Sequence, residues 1–384
     1  MSWPLVKLRD CCEVVGGATP KREVPEYWDS PDVPWVTPKD VSDLASPTLE
    51  DAPEYISVVG FKSCSTSMLP KGSVLVTSRA PIGNIAIAGR DLCTNQGFKS
   101  LIPGKSVDGL YLYYCMKHSS QRLQALGNGA TFKEVSKKIV EEFEIPLPPL
   151  PEQKRIAAIL DKADAIRRKR HQAIQLADDF LRAVFLDMFG DVIEGAENVV
   201  RLSDVAVLDA PMVDPRVDEY IDLIHIGPDR IEKKIGKLLP ALTAREEGLI
   251  SKKFLFDDRY VLYSKIRPYL RKCAMAEGVG LCSADMYPVR PVEGLATKEF
   301  LWMLLLSDFF TAYTESLPAR ANIPKLNREE LEAFTFSLPE YSQQLKFSSI
   351  VRTTNIASQR VVESAAYVDG AFESLSQKAF SGQL

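Results

Sequence analysis

The apolar positions of this chain fall into two kinds of pattern, and each kind occurs twice. Short β-branched and aliphatic runs such as Val74-Leu75-Val76-Thr77 and Ile85-Ala86-Ile87-Ala88 are punctuated by Pro and Gly, which predicts strands. Tyr111 to Met116 and Phe300 to Leu306 are continuously apolar and each precedes a polar stretch, which predicts buried helix segments. Two long stretches then carry a 3/4 spacing. In the first, Ala163, Ile166, Ile174, Ala177, Leu181, Val184 and Met188 follow it, interrupted by the basic Arg170. In the second the positions are Phe347, Val351, Thr354, Ser358, Val361, Ala365, Val368, Phe372, Leu375 and Ala379. Sustained seams of this kind call for a partner helix, so antiparallel pairing of the two is expected. Packing of each helix on its own domain is the alternative. A helix of about 37 residues would be roughly 55 Å long at 1.5 Å per residue, long enough to act as a ruler between two domains.

A proline-spaced segment, Ile145-Pro146-Leu147-Pro148-Pro149-Leu150-Pro151-Glu152-Gln153, leads into the first long helix. Proline fixes φ and disfavours helix in the preceding residue, so this segment stays extended until Pro151, which suits a first helical turn. A degraded copy, Phe336-Ser337-Leu338-Pro339-Glu340-Tyr341-Ser342-Gln343-Gln344, leads into the second. The halves align at a near-constant offset. Val74 to Pro81 faces Val261 to Pro268, Cys93-Thr94-Asn95-Gln96 faces Cys282-Ser283-Ala284-Asp285, and Ala130 to Ser136 faces Ala321 to Asn327. Val6-Lys7-Leu8-Arg9-Asp10 likewise matches Val200-Arg201-Leu202-Ser203-Asp204. A period of roughly 190 residues exceeds any solenoid unit, so a whole domain-plus-helix module is duplicated.

With 384 residues, 46% hydrophobic and 26% charged, the chain suits two domains with real cores. No apolar run is long enough for a bilayer span, and the Met1-Ser2-Trp3-Pro4 start does not read as a signal peptide. Seven cysteines without a C-x-x-C pair, and only three histidines, argue for reduced cytoplasmic thiols over a zinc site. The net charge of -4 weighs mildly against a chain that grips DNA unaided, but charge is unevenly spread. Between Asp229 and Lys272 twelve basic residues stand against six acidic ones. Enzyme signatures fail on inspection. Gly104-Lys105-Ser106 lacks the first glycine of a phosphate loop, since Lys99 holds that place. Asp229 and Glu232-Lys233-Lys234 are too close together for the two strands of a metal-nuclease hairpin, and a solvated turn is the simpler reading. There is no G-x-G-x-x-G after a strand, no Gly-rich S-adenosylmethionine loop and no Asn-Pro-Pro-aromatic segment.

The chain resembles the specificity subunits of type I restriction–modification systems over essentially its whole length. The junction from Leu147 to Ala163 carries this most specifically. Gly16-Gly17-Ala18-Thr19-Pro20, Tyr27-Trp28 and Val33 to Val41 add to it, as do Arg79 to Asn84, Thr94 to Phe98, Phe189-Gly190-Asp191 and Ala379 to Leu384. The resemblance implies an α+β fold: two α/β target recognition domains in pseudo-twofold arrangement, separated by two long antiparallel coiled-coil helices. The expected boundaries are 1–150 and 191–340 for the recognition domains, and 151–190 and 341–384 for the spacer helices. It implies a bipartite double-stranded DNA target and no membrane partner. Two modification subunits would carry S-adenosylmethionine and methylate adenine, and two restriction subunits would use ATP and magnesium. The chain itself would hold no cofactor and catalyse nothing. The second module lacks the Gly-Gly-Thr-Pro entry, as reading a different half-site would require.

DNA reading needs cations for phosphates and planar side chains for base edges. Lys265, Arg267 and Arg271 follow the strand-like Val261 to Ser264, and Ser78, Arg79, Asn95 and Gln96 hold the corresponding places in the first module. Lys21, Arg22 and Lys39 lie in its entry loop, and Lys133 and Arg320 in matched loops before each helix. Arg79 and Arg267 are the leading base readers; each candidate taken singly is equally an ordinary surface cation. The run Arg167-Arg168-Lys169-Arg170 reads either as a contact to the spacer backbone or as a solvated helix face. Other readings are a stand-alone DNA-modifying enzyme or nuclease, and a scaffold that assembles proteins without reading DNA.

Overall fold

The computed structural model describes all residues except 1, 2, 43, 45, 80, 130–132 and 319–322. It contains two compact units, one formed by Met1–Gln172 with Val362–Leu384 and the other by Ala173–Val361.

In the first unit a five-stranded sheet runs in the order Cys12–Gly16, Lys99–Pro103, Val74–Val76, Ile85–Ala88, Thr48–Leu49. A three-stranded sheet joins Glu54–Ile56, Val33–Val36 and Cys93–Thr94, the last pair parallel. The helix Gly109–His118 starts at Asp108, whose carboxylate accepts from Tyr111 N, and it buries Tyr111, Leu112, Tyr114, Cys115 and Met116. The second unit repeats the plan. Ala206–Val207, Met286–Pro291, Val261–Ser264 and Cys273–Met275 form one sheet, and the parallel pair His225–Ile226 with Gly280–Cys282 lies in another. The helix Lys298–Leu306, capped by Thr297, is buried throughout its apolar length. Both predicted buried helices are therefore present.

Strand register refines the internal alignment. Val74 faces Leu101 and Val261 faces Val289, so these two cross-strand partners are equivalent. Counting back, Thr94 rather than Cys93 corresponds to Cys282, and the parallel pairs Val36–Thr94 and Ile226–Cys282 agree. The match expected between the two cysteines is off by one, because cross-strand pairing, not residue identity, sets which face a side chain takes.

The long helices span Leu150–Ile193 (44 residues) and Tyr341–Ser381 (41 residues). Each is launched by a fully buried glutamine. Gln153 Oε1 accepts from Asp108 N at 2.9 Å, and its Nε2 donates to Ser106 O at 2.9 Å and Pro148 O at 2.8 Å. Gln344 does the same with Thr297 N at 3.0 Å, Leu295 O at 3.1 Å and Pro339 O at 2.9 Å. Each clamp ties the extended proline segment to the cap of the buried helix. Antiparallel strand pairs complete each neck, Leu5–Lys7 with Glu144–Pro146 and Val199–Arg201 with Thr335–Ser337.

Both units contain parts of both long helices. In the first, Arg155 donates to Leu384 O at 2.9 Å while His171 meets Asp369 at 3.3 Å, so the two segments run antiparallel. Phe380 packs on Tyr111 at 5.7 Å between ring centroids, and Trp3 Nε1 donates to Ala379 O at 2.8 Å. In the second unit Phe189 packs on Phe300 at 5.3 Å and on Phe347 at 5.6 Å. Each aromatic ring buried in this way contributes ~1.5–3 kcal/mol.

The seam of the second helix is as expected, with Phe347, Val351, Ala365, Phe372 and Ala379 buried. The first differs near its start. Ile166 is 50% exposed, and the buried position is Asp164, met by Lys117 at 3.4 Å, Arg167 at 2.9 Å and Arg168 at 3.1 Å. A buried carboxylate is tolerated only with such neutralisation. Burial holds Lys117 below the usual lysine range, a shift that Asp164 opposes.

Replacing Gln153 by Ala removes the partner of one N–H and two carbonyls. Stability of the first unit should fall by about 2–4 kcal/mol in denaturant unfolding. Gln344→Ala should cost the second unit a similar amount, and a loss under 1 kcal/mol at either site would contradict the clamp.

Candidate nucleic-acid interface

Backbone hydrogen bonds gather four loops of the first unit with the start of its glycine-rich entry. Ala18 N donates to Thr94 O at 3.0 Å, Asn95 N to Val36 O at 3.0 Å, Ser78 N to Gly97 O at 2.7 Å, and Val135 N to Ser78 O at 2.9 Å. Gly17 is the tightest point. A Cβ there would overlap the carbonyl oxygens of Thr94 and Asn95. Trp35 Nε1 donates to Ala18 O at 3.0 Å, and Thr19 Oγ1 donates to Gln96 Oε1.

The candidates of this unit divide by what they already do. Lys21, Lys39, Gln96 and Lys133 are exposed on the gathered loops, Lys39 within the turn Pro38–Val41. Arg79 is half-buried, and its backbone bridges Glu134. Ser78 is buried and serves as a backbone joint, which removes it from direct contact with a ligand. Asn95 Oδ1 accepts from Gly97 N at 2.8 Å and shapes its own turn. Arg22 is paired to both oxygens of Glu54 and stacked 3.7 Å from the Trp28 ring, itself edge-on to Trp35 at 5.2 Å. The hydrogen bond to Glu54 raises the Arg22 pKa above its ordinary value. Arg22 is thus a pin for the entry loop. Lys99 is a cation at the site that the sequence reading passes over. It reaches Glu134 at 3.5 Å and Ser78 Oγ at 3.4 Å, and its strand, Lys99-Ser100-Leu101-Ile102-Pro103, carries no alternation that marks it.

The second unit uses the same joints with different side chains. Ser283 N donates to Ile226 O at 3.0 Å, Lys265 N to Asp285 O at 3.1 Å, and Leu326 N to Lys265 O at 2.9 Å. Ser283 Oγ accepts from Asp285 N at 3.2 Å, as Asn95 does from Gly97. By this correspondence Lys265 stands for Ser78 and Ile266 for Arg79. Lys265 Nζ donates to Ala284 O at 2.5 Å. Arg267 is exposed and left-handed at φ +52°, its N donating to Pro324 O at 2.8 Å. Arg271 is left-handed at φ +50° and paired with Asp308, at the place where the first unit has Gly83 at φ +91°. A non-glycine residue there costs ~1–2 kcal/mol. Arg320 lies outside the described residues, as do parts of the matched segments at 130–132 and 321–322. Arg167 and Arg168 serve Asp164, so the basic run is partly structural.

Residues 2–176 match the family model described as type I restriction modification DNA specificity domain. The MjaIX specificity subunit of Methanocaldococcus jannaschii is 37% identical over 191 residues, 49% of this chain and 44% of that protein. The EcoDI specificity subunit of Escherichia coli is 25% identical over 314 residues, covering 71% of this chain and 70% of that one. The match to the first of these thus spans less than half its length. Among solved structures, the S subunit of a type I restriction–modification system from M. genitalium superposes with a TM-score of 0.60. That alignment covers 99% of this chain and 96% of the other at 13% identity, a likeness of fold. The first 176 residues thus match the type I restriction–modification specificity family, and the chain as a whole is similar to its specificity subunits. Among the described residues no helix is long and apolar enough to cross a membrane.

Gly17→Ala should displace the entry loop from Thr94. We expect a loss of more than about 2 kcal/mol in the first unit and faster hydrogen exchange at the Ala18 amide, read by mass spectrometry. Unchanged exchange would contradict the close approach.

Proposed function

We propose that the chain is the DNA sequence-specificity subunit of a type I restriction–modification complex, a non-catalytic chain that reads a bipartite target. The observation that carries this reading is the repeated loop scaffold with divergent tips. Matching backbone joints carry the tips Arg79, Gln96 and Lys133 in one unit and Ile266, Ala284 and Pro324 in the other. Two copies of one frame with different side chains suit two different half-sites. Lys21, Lys39, Arg79, Gln96 and Lys133 contact one half-site; Lys265, Arg267, Arg271 and Arg320 contact the other. The long helices set the unread spacing between them. Two modification subunits supply S-adenosylmethionine and methylate adenine, and two restriction subunits supply ATP- and magnesium-dependent cleavage. Seven unpaired cysteines support work in a reducing cytoplasm.

Incubated with DNA, magnesium and S-adenosylmethionine, the pure chain should transfer no methyl groups until modification subunits are added; methylation by the chain alone would overturn the reading. Arg267→Ala should relax or weaken one half-site only, by ~1–3 kcal/mol in competition binding of the assembled complex. Equal loss at both half-sites would refute its assignment. Lengthening both helices by one heptad, roughly 10 Å, should lengthen the methylated motif's spacer and leave its half-sites unchanged.

A further inference from the structure

Four non-glycine residues among those described have positive φ, and three of them are cations brought together in the second unit: Lys234 at +65°, Arg267 at +52° and Arg271 at +50°. Their backbones are joined. Lys234 N donates to Leu270 O and Arg271 O, both at 3.2 Å, and Arg271 N donates to Pro268 O at 2.8 Å. From the long helix, Arg182 donates to Lys234 O at 2.6 Å and meets Asp179 at 3.3 Å. Between that helix and these turns lies an open cleft of about 520 Å³, lined by Gln175, Arg182, Lys233, Lys234 and Tyr269 among others. Arg271 lines an adjoining hollow of about 150 Å³ with Lys234 and Asp308. Lys233 and Lys234 are exposed, and neither has an acidic partner among the described residues.

Strained backbone gathered at one place marks function more often than chance folding. Here the strain has a direct comparison within the same chain. At the position of Arg271 the first unit uses glycine, the residue that left-handed backbone favours, and the second unit uses a cation instead. The cleft is continuous with the 265–272 loop that carries Arg267, and the charged side chains that line it, Arg182, Lys233 and Lys234, are all cations. Such a surface suits phosphates, which fix register without carrying sequence.

We propose that Lys233, Lys234 and Arg271 form a phosphate-binding notch that grips the DNA backbone beside the second half-site, with Arg182 positioning the Lys234 turn. The proposal rests on the specificity-subunit reading and adds to it a sequence-independent anchor built where the first unit has Gly83. Asp308 holds the Arg271 guanidinium in place at the edge of the notch while the two lysines face open solvent.

The test uses the chain assembled with its modification subunits and a duplex bearing its own methylated motif. Affinity is measured across a salt series for the wild type, Lys233→Gln with Lys234→Gln, and Arg271→Gly. Glycine is at ease at φ +50°, so the last variant removes charge without removing the fold, and a thermal melt verifies it. Removing one cation from a phosphate lowers the slope of log affinity against log salt by ~0.9. The lysine pair should therefore lower it by about 2 and Arg271→Gly by about 1. Both should weaken binding several-fold or more at low salt and leave the methylated sequence the same. An unchanged slope with unchanged affinity overturns the notch. So does a changed methylated sequence, which would make these residues base readers, and so does failed assembly without DNA, which would assign the cleft to a protein partner. A wild-type complex without sequence-specific binding would instead refute the underlying function.

Discussion

The structure depends on a buried amide used twice. Gln153 and Gln344 are fully buried, and each satisfies one backbone N–H and two backbone carbonyls. Buried polar groups are affordable only when all are paired, so each glutamine fixes three backbone segments at once. Those segments are the proline-spaced exit, the loop before the buried helix and that helix's cap. The direction in which each long helix leaves its unit follows from this joint. The far end of each helix is held differently, by aromatic burial through Phe189 and Phe380.

This changes the meaning of the weaker second junction. Tyr341-Ser342-Gln343-Gln344 loses the proline and glutamate of the first copy but keeps the residue that makes the clamp. What looks eroded in the sequence is intact in its hydrogen bonds. The first long helix carries the reverse lesson, for its regular apolar spacing continues through a place where the buried residue is Asp164. That carboxylate is neutralised by two arginines of its own helix and by Lys117 from another, and a tertiary cation is invisible to local spacing.

Duplication, the buried helices Gly109–His118 and Lys298–Leu306, and the second seam were legible because each is written in repeated apolar positions. The site was legible at the level of loops and not of side chains. Ser78 and Asn95 have the right chemistry for DNA, yet backbone demands occupy them. Arg22 looks free in sequence and is fixed by Glu54 and Trp28, which are 32 and 6 positions away. Lys233 and Lys234 read in sequence as no more than part of a solvated, charged turn. Their location beside Arg271 depends on left-handed backbone that residue types other than glycine do not announce.

Two copies of one frame, differing at their tips, are what the proposed reading of two short sequences rests on. The most direct measurement is a genome-wide map of methylated adenine with and without this chain. The account predicts that one split motif, two half-sites around an unread spacer, loses methylation when the chain is removed. Loss of an unsplit motif, or no change in any motif, would contradict it.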